Sequence, residues 1–371
     1  MIKKTAILVF FLFLFGCSES PVVLESLHFD FEGKDGVFIV NEGNFMFGNS
    51  SLSFFSIGDK VVYNEIFLLA NEIPLGDVAQ SVCLYGDTAF VVVNNSGRIY
   101  RIDQRSARLT GEIGGLVSPR NMLVLGPGKA YISDLYEKAI TIADPENCSI
   151  KGRISLDNSD PGFNHHTSEQ LLLLHGRVFT NSWNYDAMIL AIDPETDQLT
   201  DSVEVIAQPN SMAADRNGDL WVLCDGGFPG NPFRYEAPGL LRIDPASCEV
   251  TRIYRFEEGT HPFSLKINGR GDTLYFINRD VWRMEINAPA LPEEPFVKSP
   301  YSGYYQGGFY GLGVDPVSSM VYVSDAVDHL QRGVVFRYRP DGVAVDSFRA
   351  GINPGELVFR RSLTSRKNAF P

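Results

Sequence analysis

Gly36-Val-Phe-Ile-Val-Asn41 is the first of seven copies of a short strand pattern that decides the fold of this chain. Each copy places one aromatic residue among small and β-branched residues, a composition that favours strands. These aromatic residues recur every 41 to 54 residues, at Phe38, Phe90, Tyr131, Phe179, Trp221, Tyr275 and Tyr322. Repeats of this length that are built from short strands are typical of the blades of a β-propeller.

Further strands flank each copy of the pattern. A second strand follows and mostly ends in Asp, as in Arg98–Asp103 and Gly239–Asp244, and a tight turn then leads to a third. Asp and Pro favour such turns through side-chain bonding and a fixed φ. Another strand precedes each copy and begins near a Pro or Gln, such as Pro119 or Gln80. The sequence therefore predicts four strands in each repeat, so that one repeat makes one blade.

The two ends of the chain complement each other. The first repeat lacks its leading strand because the pattern begins near Gly36, whereas a spare strand, residues 354–360, follows the last repeat. We expect 354–360 to fill the vacant place in the first blade, which closes the ring and removes open sheet edges. The predicted fold is an all-β, seven-bladed β-propeller with strand closure between the C-terminal segment and the first blade. A β-sandwich or an open array of repeats is the alternative.

The N-terminus has the layout of an export signal: a basic start at Lys3 and Lys4, then an apolar run over residues 7–15. That run is too short to span a bilayer as a helix. Cys17 directly follows Leu-Phe-Gly and resembles the lipobox of bacterial lipoproteins, in which the Cys is acylated; an ordinary signal peptide is the alternative. We divide the chain into a lipoprotein signal peptide (1–16), a lipidated Cys17 with its tether (17–34), one propeller (35–360) and a C-terminal tail (361–371).

The charge of the chain argues against nucleic acid as a partner. The formal net charge is −13, and removing Lys3 and Lys4 with the signal peptide takes it to −15. Binding to a nucleic-acid backbone needs a basic surface. The cysteines after Cys17 have no zinc-site spacing. Cys148 and Cys248 follow similar turns in different repeats, so we expect these two thiols, with Cys83 and Cys224, to be unpaired.

Long aromatic loops share one predicted face of the propeller. The loop that follows each aromatic copy lies on the same face as the segment that leads into the strand before that copy. Aromatic side chains supply contact area at low entropy cost, Asn supplies a donor and an acceptor, and a clustered patch usually marks a binding site. The alternative is that the rings pack beneath their own loops. The predicted ligand-binding residues are Phe45, Phe47, Asn95, Tyr136, His166, Trp183, Tyr185, Phe228, Phe233, Tyr235, Tyr304 and Tyr305.

The sequence contains none of the common catalytic motifs. It has no G-x-S-x-G elbow, no glycine-rich phosphate loop and no H-E-x-x-H. The adjacent His165 and His166 have no carboxylate at ligand spacing, which favours a polar loop over a metal site. We therefore predict that the protein is not an enzyme and needs no cofactor or metal. The catalytic possibility that stays open is a set assembled across blades: Asp77, Asp134, Asp225, Asp325 and His166.

Several phrases are more specific than blade patterning and run through nearly the whole mature chain. Examples are Pro74-Leu-Gly-Asp-Val-Ala-Gln-Ser81, Leu220-Trp-Val-Leu-Cys-Asp-Gly-Gly227 and Tyr310-Gly-Leu-Gly-Val-Asp-Pro316. They resemble the YncE-like propeller lipoproteins of Bacteroidota and, most closely, the BtuG-type surface lipoproteins. The resemblance implies a seven-bladed fold that captures cobalamin (vitamin B12) outside the cell. It also implies delivery to a TonB-dependent transporter of BtuB type in the outer membrane.

The residues on the predicted face are compatible with that ligand. Cobalamin is a broad corrin rimmed with amide side arms, so aromatic rings would cover its apolar surface while Asn side chains pair with its amides. Tight capture needs a preformed site, which a closed propeller provides. We expect cobalamin or a related corrinoid as a ligand rather than a cofactor, and a lipid-anchored protein at the outer-membrane surface. A propeller enzyme (lyase or hydrolase) and a protein- or glycan-binding adhesion module are the other possibilities.

Overall fold

Seven antiparallel sheets make up the computed structural model, which describes residues 27–156, 166–300 and 308–362. The predicted seven-bladed β-propeller is confirmed. In chain order its strands are β1 (Gly36–Asn41), β2 (Ser51–Ser56), β3 (Val61–Tyr63), β4 (Ala79–Tyr85), β5 (Thr88–Val93), β6 (Arg98–Asp103), β7 (Leu109–Ile113), β8 (Pro119–Gly126), β9 (Lys129–Asp134), β10 (Ala139–Asp144), β11 (Ser149–Ser155), β12 (Leu171–Leu174), β13 (Arg177–Ser182), β14 (Met188–Asp193), β15 (Gln198–Glu204), β16 (Pro209–Ala214), β17 (Leu220–Cys224), β18 (Gly239–Asp244), β19 (Glu249–Arg255), β20 (Phe263–Ile267), β21 (Thr273–Asn278), β22 (Asp280–Glu285), β23 (Phe309–Val314), β24 (Val321–Asp325), β25 (Arg332–Tyr338), β26 (Ala344–Ile352) and β27 (Pro354–Arg360).

The blades follow one another along the chain. Six have four strands each: β27-β1-β2-β3, β4–β7, β8–β11, β12–β15, β16–β19 and β23–β26. The inner strands β4, β8, β12, β16, β20, β23 and β27 contact those of neighbouring blades and so surround the axis of the ring. One short helix, α1 (Ile66–Asn71), lies between the first and second blades and buries Ile66, Phe67 and Ala70.

The closure of the ring is the one that the sequence predicts. Strand β27 pairs antiparallel with β1, with Gly36 opposite Arg360 and Phe38 opposite Val358. The Arg360 guanidinium also donates to the backbone carbonyls of Phe31 and Lys34, at 2.6 and 2.7 Å. The two ends of the described chain are therefore joined by a strand ladder and by buried side-chain bonds.

The repeated aromatic residues form the core between blades. All seven are at most 2% exposed, and fully burying a large apolar side chain stabilises a fold by roughly 1.5–3 kcal/mol. Polar tips are paired: the Trp221 indole nitrogen donates to Asp215 at 2.9 Å, and the Tyr131 hydroxyl donates to Asp197. A buried donor without a partner would be costly, so these pairs fix the orientation of the rings.

The sixth blade departs from the predicted four strands. It contains β20, β21 and β22, and among the described residues a single further bridge joins Val281 to Val297. The segment after β22 carries Pro289, Pro292 and Pro295. Proline has no backbone N–H to donate to a strand ladder, so this segment runs beside the blade without completing it.

The four cysteines Cys83, Cys148, Cys224 and Cys248 are free, which confirms the expectation of unpaired thiols. The expected lipid-bearing Cys17 lies outside the described residues. Within 27–156, 166–300 and 308–362, no helix has the length and apolar character to cross a membrane.

Candidate functional site

The strand registers define two faces of the propeller. At one face, the inner strand of each blade begins beside the end of the strand that carries the repeated aromatic residue. The paired residues Ala79 and Val93, and Pro119 and Asp134, show this arrangement. The same arrangement recurs for Pro209 and Cys224. We call this face the loop face and the other one the opposite face. The predicted ligand-binding residues that the structure describes all lie on the loop face, whereas Tyr304 and Tyr305 lie outside the described residues.

Three predicted rings meet between the fourth and fifth blades. The Tyr185 ring lies edge-on to Phe228, with centroids 6.0 Å apart, and to Phe233, with centroids 5.9 Å apart. Phe228 and Phe233 come from the long loop between β17 and β18 and remain 41% and 39% exposed. Edge-to-face pairs of this kind hold one another in place. The cluster therefore presents preordered apolar surface to solvent.

A pocket of about 260 Å³ opens beside these rings. Its lining includes His166, Tyr185, Gln208, Asn231 and Phe233. We call it the aromatic pocket. It combines ring surface with two side-chain amides, the mixture that small-molecule sites use to bury apolar area and to fix orientation.

His166 is held in this pocket by Asp186. The His166 backbone N–H donates to Asp186 Oδ2 at 2.5 Å, and the ring nitrogen Nδ1 lies 2.7 Å from the same oxygen. Burial opposes ionisation of the carboxyl, but these bonds and the Ala187 N–H outweigh it and bring the pKa of Asp186 below its ordinary value. Asp186 is therefore a buried carboxylate that positions His166.

Trp183 is fixed at the same boundary by a second aspartate. Its indole nitrogen donates to Asp225 Oδ2 at 2.9 Å, and Asp225 Oδ1 accepts the Gly227 N–H. Burial raises the pKa of Asp225, although bonds from Trp183, Gly227 and Asn210 partly offset that effect. This pair links the fourth blade to the fifth and supports the loop that carries Phe228 and Phe233.

The other predicted rings lie elsewhere on the loop face. Phe45 and Phe47 are 65% and 77% exposed in the loop of the first blade, and Tyr136 is 57% exposed in the third. No ring contact joins these three residues to another ring within the described part of the chain. We call them the exposed ring set. These residues share the predicted face, but their loops leave different blades and their rings do not meet one another.

Asn95 and Tyr235 support the loops of this face rather than lining the aromatic pocket. The Asn95 amide donates to Asp77 Oδ2 at 2.6 Å, and the same carboxylate accepts the Met46 N–H, so Asn95 supports the first loop. Tyr235 is half-buried in the loop that carries Phe228 and Phe233.

The aspartates considered above as a catalytic set across blades accept hydrogen bonds from backbone N–H groups of nearby loops. Asp134 accepts backbone N–H groups of Ser118 and Tyr136, and Asp325 accepts that of Val327. His166 pairs with Asp186, which is not a member of that set. Among the residues that the structure describes, no group of three His, Cys, Asp or Glu side chains could hold a metal ion.

Polar side chains lie near the axis at irregular points of four inner strands, and the predicted ligand-binding residues do not include them. In the second and fifth blades, Gln80 and Asn210 occupy a β-bulge near the start of the inner strand, and Arg120 and Tyr310 lie at equivalent irregularities. Bulges re-aim side chains and are common at barrel rims. We call these four residues the axial rim. A polar residue just after the start of each inner strand was the available signal.

Buried carboxylates support the axial rim. Arg120 donates to Glu169 at 2.7 Å and to Gln80 at 2.6 Å, and the Tyr310 hydroxyl donates to Glu42 at 2.6 Å. Burial raises the pKa of Glu42 and of Glu169, and the bonds from Tyr310 and Arg120 only partly offset it. Carboxylates therefore fix the guanidinium and phenol groups of the rim, while its amides are held by Arg120 and by the Pro262 carbonyl.

Comparison with known proteins supports the fold and a family. Residues 35–333 match a family described as Domain of unknown function (DUF5074). No curated protein matches the sequence.

Solved structures similar to this chain include a quinonprotein alcohol dehydrogenase-like protein from Bacteroides thetaiotaomicron. It is 13% identical, with coverage of 89% of this chain and 79% of that one and a TM-score of 0.66. A protein from Lactobacillus plantarum is 10% identical, with coverage of 88% and 100% and a TM-score of 0.64. A putative 6-phosphogluconolactonase from Bacteroides fragilis is 11% identical, with coverage of 88% and 98% and a TM-score of 0.60. At these identities the likeness extends to the fold alone.

Proposed function

The chain belongs to the DUF5074 family, and from that premise we propose that it captures cobalamin or a related corrinoid on its loop face. In this proposal it is a binding protein at the surface of the outer membrane. It holds its ligand there and delivers it to a TonB-dependent transporter of BtuB type.

The aromatic pocket is the observation that carries the proposal. Tyr185, Phe228 and Phe233 keep apolar ring surface accessible on a face that is otherwise rich in polar loops. Isolated exposed rings are ordinary, but a preordered cluster beside a pocket is typical of a ligand site. Its rings contact one another before any ligand arrives, so little side-chain entropy is lost on binding.

The size of the pocket determines how a corrinoid would bind. At about 260 Å³ the aromatic pocket is smaller than a corrin, so it would hold one edge of the ligand. The remainder would spread over the loop face toward the axial rim. There Gln80 and Asn210 offer side-chain amides that can pair with the amide arms of the corrin. The identity of the ligand rests on the sequence resemblance, and the position rests on the pocket.

Equilibrium titration with cyanocobalamin tests the proposal. The soluble chain beginning at Ser18 contains every described residue, and we expect it to bind one equivalent saturably. Tyr185→Ala removes the central ring of the cluster and should weaken binding by roughly 30-fold, the effect of losing a hot-spot aromatic worth about 2 kcal/mol. Tyr85→Ala is the matched control, because Tyr85 is a 38% exposed ring at the opposite face. Absence of saturable binding to the unsubstituted chain would refute corrinoid capture.

The membrane anchor is tested separately. Acylation of Cys17 would retain the full-length protein in the outer-membrane fraction, since several acyl chains bind a bilayer firmly where one does not. We expect Cys17→Ser to release the protein from that fraction while leaving corrinoid affinity of the purified chain unchanged. Equal membrane retention of the variant would contradict lipidation at Cys17.

A further inference from the structure

A second pocket lies on the opposite face, between the sixth and seventh blades. Its volume is about 550 Å³. The turns between β20 and β21 and between β23 and β24 both contribute to its lining, as does Pro340 beyond β25. Because it opens at the other end of the inner strands, it is separate from the aromatic pocket.

Three arginines from three segments line this pocket: Arg216, Arg270 and Arg283. Arg283 donates to the Pro340 carbonyl at 2.6 Å and lies over the Phe296 ring, 5.0 Å from its centroid. These contacts hold its guanidinium in place but use only part of its five N–H donors.

The other two guanidiniums are less engaged. Arg216 contacts Asp272 at 3.3 Å, a long distance for a charge-assisted hydrogen bond. Arg270 is exposed and has no hydrogen-bond or ion-pair partner in the described part of the chain. The pocket therefore contains cationic donors that face solvent without strong partners.

The three arginines belong to a chain with a formal net charge of −13. Acidic proteins repel anions at long range, so an anion that binds here needs the local field of the three guanidiniums. Two carboxylates, Asp272 and Glu285, also line the pocket. Hydrogen bonds from the Asn268 amide and the Thr273 hydroxyl hold the pKa of Asp272 below its ordinary value. Asp272 therefore stays charged and would reject a ligand that is anionic throughout.

The mixture of donors and acceptors specifies a ligand with two kinds of group. Guanidinium forks match the oxygens of a phosphate. Carboxylate, amide and hydroxyl side chains, such as Glu285, Asn287 and Ser318, match sugar hydroxyls, which both donate and accept. A volume of about 550 Å³ lies within the range of small-molecule sites and exceeds the space that a bare phosphate needs. We propose that the opposite-face pocket binds a phosphorylated sugar through Arg216, Arg270 and Arg283.

A phosphorylated sugar can be free in solution or can be the headgroup of a lipid. The chain enters the first blade at Gly36, which is paired with Arg360 at the opposite-face end of β1. A lipid on Cys17 would precede the first described residue, Leu27, by ten residues, a reach of at most about 35 Å. An anchored protein could therefore present the pocket to phosphorylated sugars at the membrane surface, so the test includes both sources.

Calorimetric titration at low ionic strength tests the pocket, since salt screens exposed charges. The soluble probe is glucosamine 1-phosphate, with glucosamine as the unphosphorylated comparison. The membrane probe is phosphatidylcholine vesicles with or without lipid A, a phosphorylated glucosamine disaccharide. The test variant is Arg270→Gln, which removes a charge without removing any partnered contact. The control is Arg105→Gln, an exposed arginine paired with Asp103 in a turn of the second blade.

We expect saturable binding of the soluble probe or of lipid A vesicles. Arg270→Gln should weaken it about tenfold, the loss of roughly 1.4 kcal/mol of charge-assisted bonding, and Arg105→Gln should leave it unchanged. Binding in solution identifies a free sugar phosphate, and binding only to lipid A vesicles identifies a membrane source. Equal binding of glucosamine, equal binding by Arg270→Gln, or no saturable binding to either source overturns the proposal. Cyanocobalamin affinity of Arg270→Gln should stay unchanged, which separates this pocket from the corrinoid proposal.

Discussion

The aromatic pocket and the exposed ring set contain the same kinds of residue on the same face, yet they differ in organisation. In the pocket, Tyr185 contacts two other rings, and aspartate carboxylates fix its neighbours His166 and Trp183. In the exposed set, Phe45 and Phe47 are at least 65% exposed and have no ring partner in the described part of the chain. A shared face is therefore not enough to make a site. Contact between loops of adjacent blades makes the difference.

Removal of the rings that flank Tyr185 should produce the largest effect. The double variant Phe228→Ala/Phe233→Ala should weaken cyanocobalamin binding by roughly 100-fold, since clustered aromatic anchors carry most of the binding energy of a site. Both rings are about 40% exposed, so the free energy of unfolding should fall by only about 1 kcal/mol. Titration and chemical denaturation measure the two effects. Unchanged affinity would place the ligand elsewhere on the face.

Substitution of Asp186 tests whether a buried carboxylate stabilises the region of the aromatic pocket. Asp186→Asn should lower the free energy of unfolding by about 1.5 kcal/mol at pH 7, because hydrogen bonds to a charged group are lost. The pKa of Asp186 is lowered in the folded protein, so its stabilising contribution is present above the unfolded value of about 4 and disappears as pH falls through the folded value.

Thermal unfolding between pH 7 and pH 3 measures this dependence. The difference between the unsubstituted protein and Asp186→Asn should stay constant down to about pH 5 and narrow below about pH 4. A difference that widens toward low pH would contradict the assignment of Asp186 as an ionised partner of His166.

Trp183→Phe should have an intermediate effect. It keeps an aromatic ring but removes the indole N–H that donates to Asp225 at 2.9 Å. Because Gly227 and Asn210 still bond to Asp225, the loss should be about 1 kcal/mol of unfolding free energy. Chemical denaturation measures it, and Trp282→Phe is the matched control, since that indole donates to the Asn278 carbonyl rather than to a carboxylate. Equal losses for both variants would argue against a special role for Asp225.

The exposed ring set should respond least. Phe45→Ala/Phe47→Ala should change cyanocobalamin affinity less than threefold and unfolding free energy by less than about 0.5 kcal/mol, as expected for surface substitutions. Titration of this variant beside the Phe228/Phe233 double variant compares the two regions directly. A loss as large as that of the pocket variant would show that the two ring groups act on one ligand.

The sequence predicts most of the fold because a propeller is encoded repeat by repeat. Seven aromatic strands and one spare strand are local signals, and they predict both the blade number and the pairing of β27 with β1. The prediction failed at the sixth blade, where Pro289, Pro292 and Pro295 leave a three-stranded sheet. There the repeat spacing is preserved while the hydrogen-bonding capacity of the segment is reduced.

The site is less predictable for a physical reason. The sequence places Tyr185 and Phe228 on loops of one face, but only the packing of neighbouring blades brings their rings within 6.0 Å. Arg120 and Glu169 are far apart along the chain and meet at the axis. In the sequence, a polar residue just after the start of an inner strand cannot be told from a turn residue. Its position near the axis is set only when all the blades pack together.

A crystal structure of the chain from Ser18 grown with cyanocobalamin would show directly whether the aromatic pocket holds a corrin. We expect a corrin edge against Tyr185, Phe228 and Phe233, with amide arms directed toward Gln80 and Asn210. A corrin bound on the opposite face or only against Phe45 and Phe47, or a loop face without the ligand at saturating concentration, would contradict it.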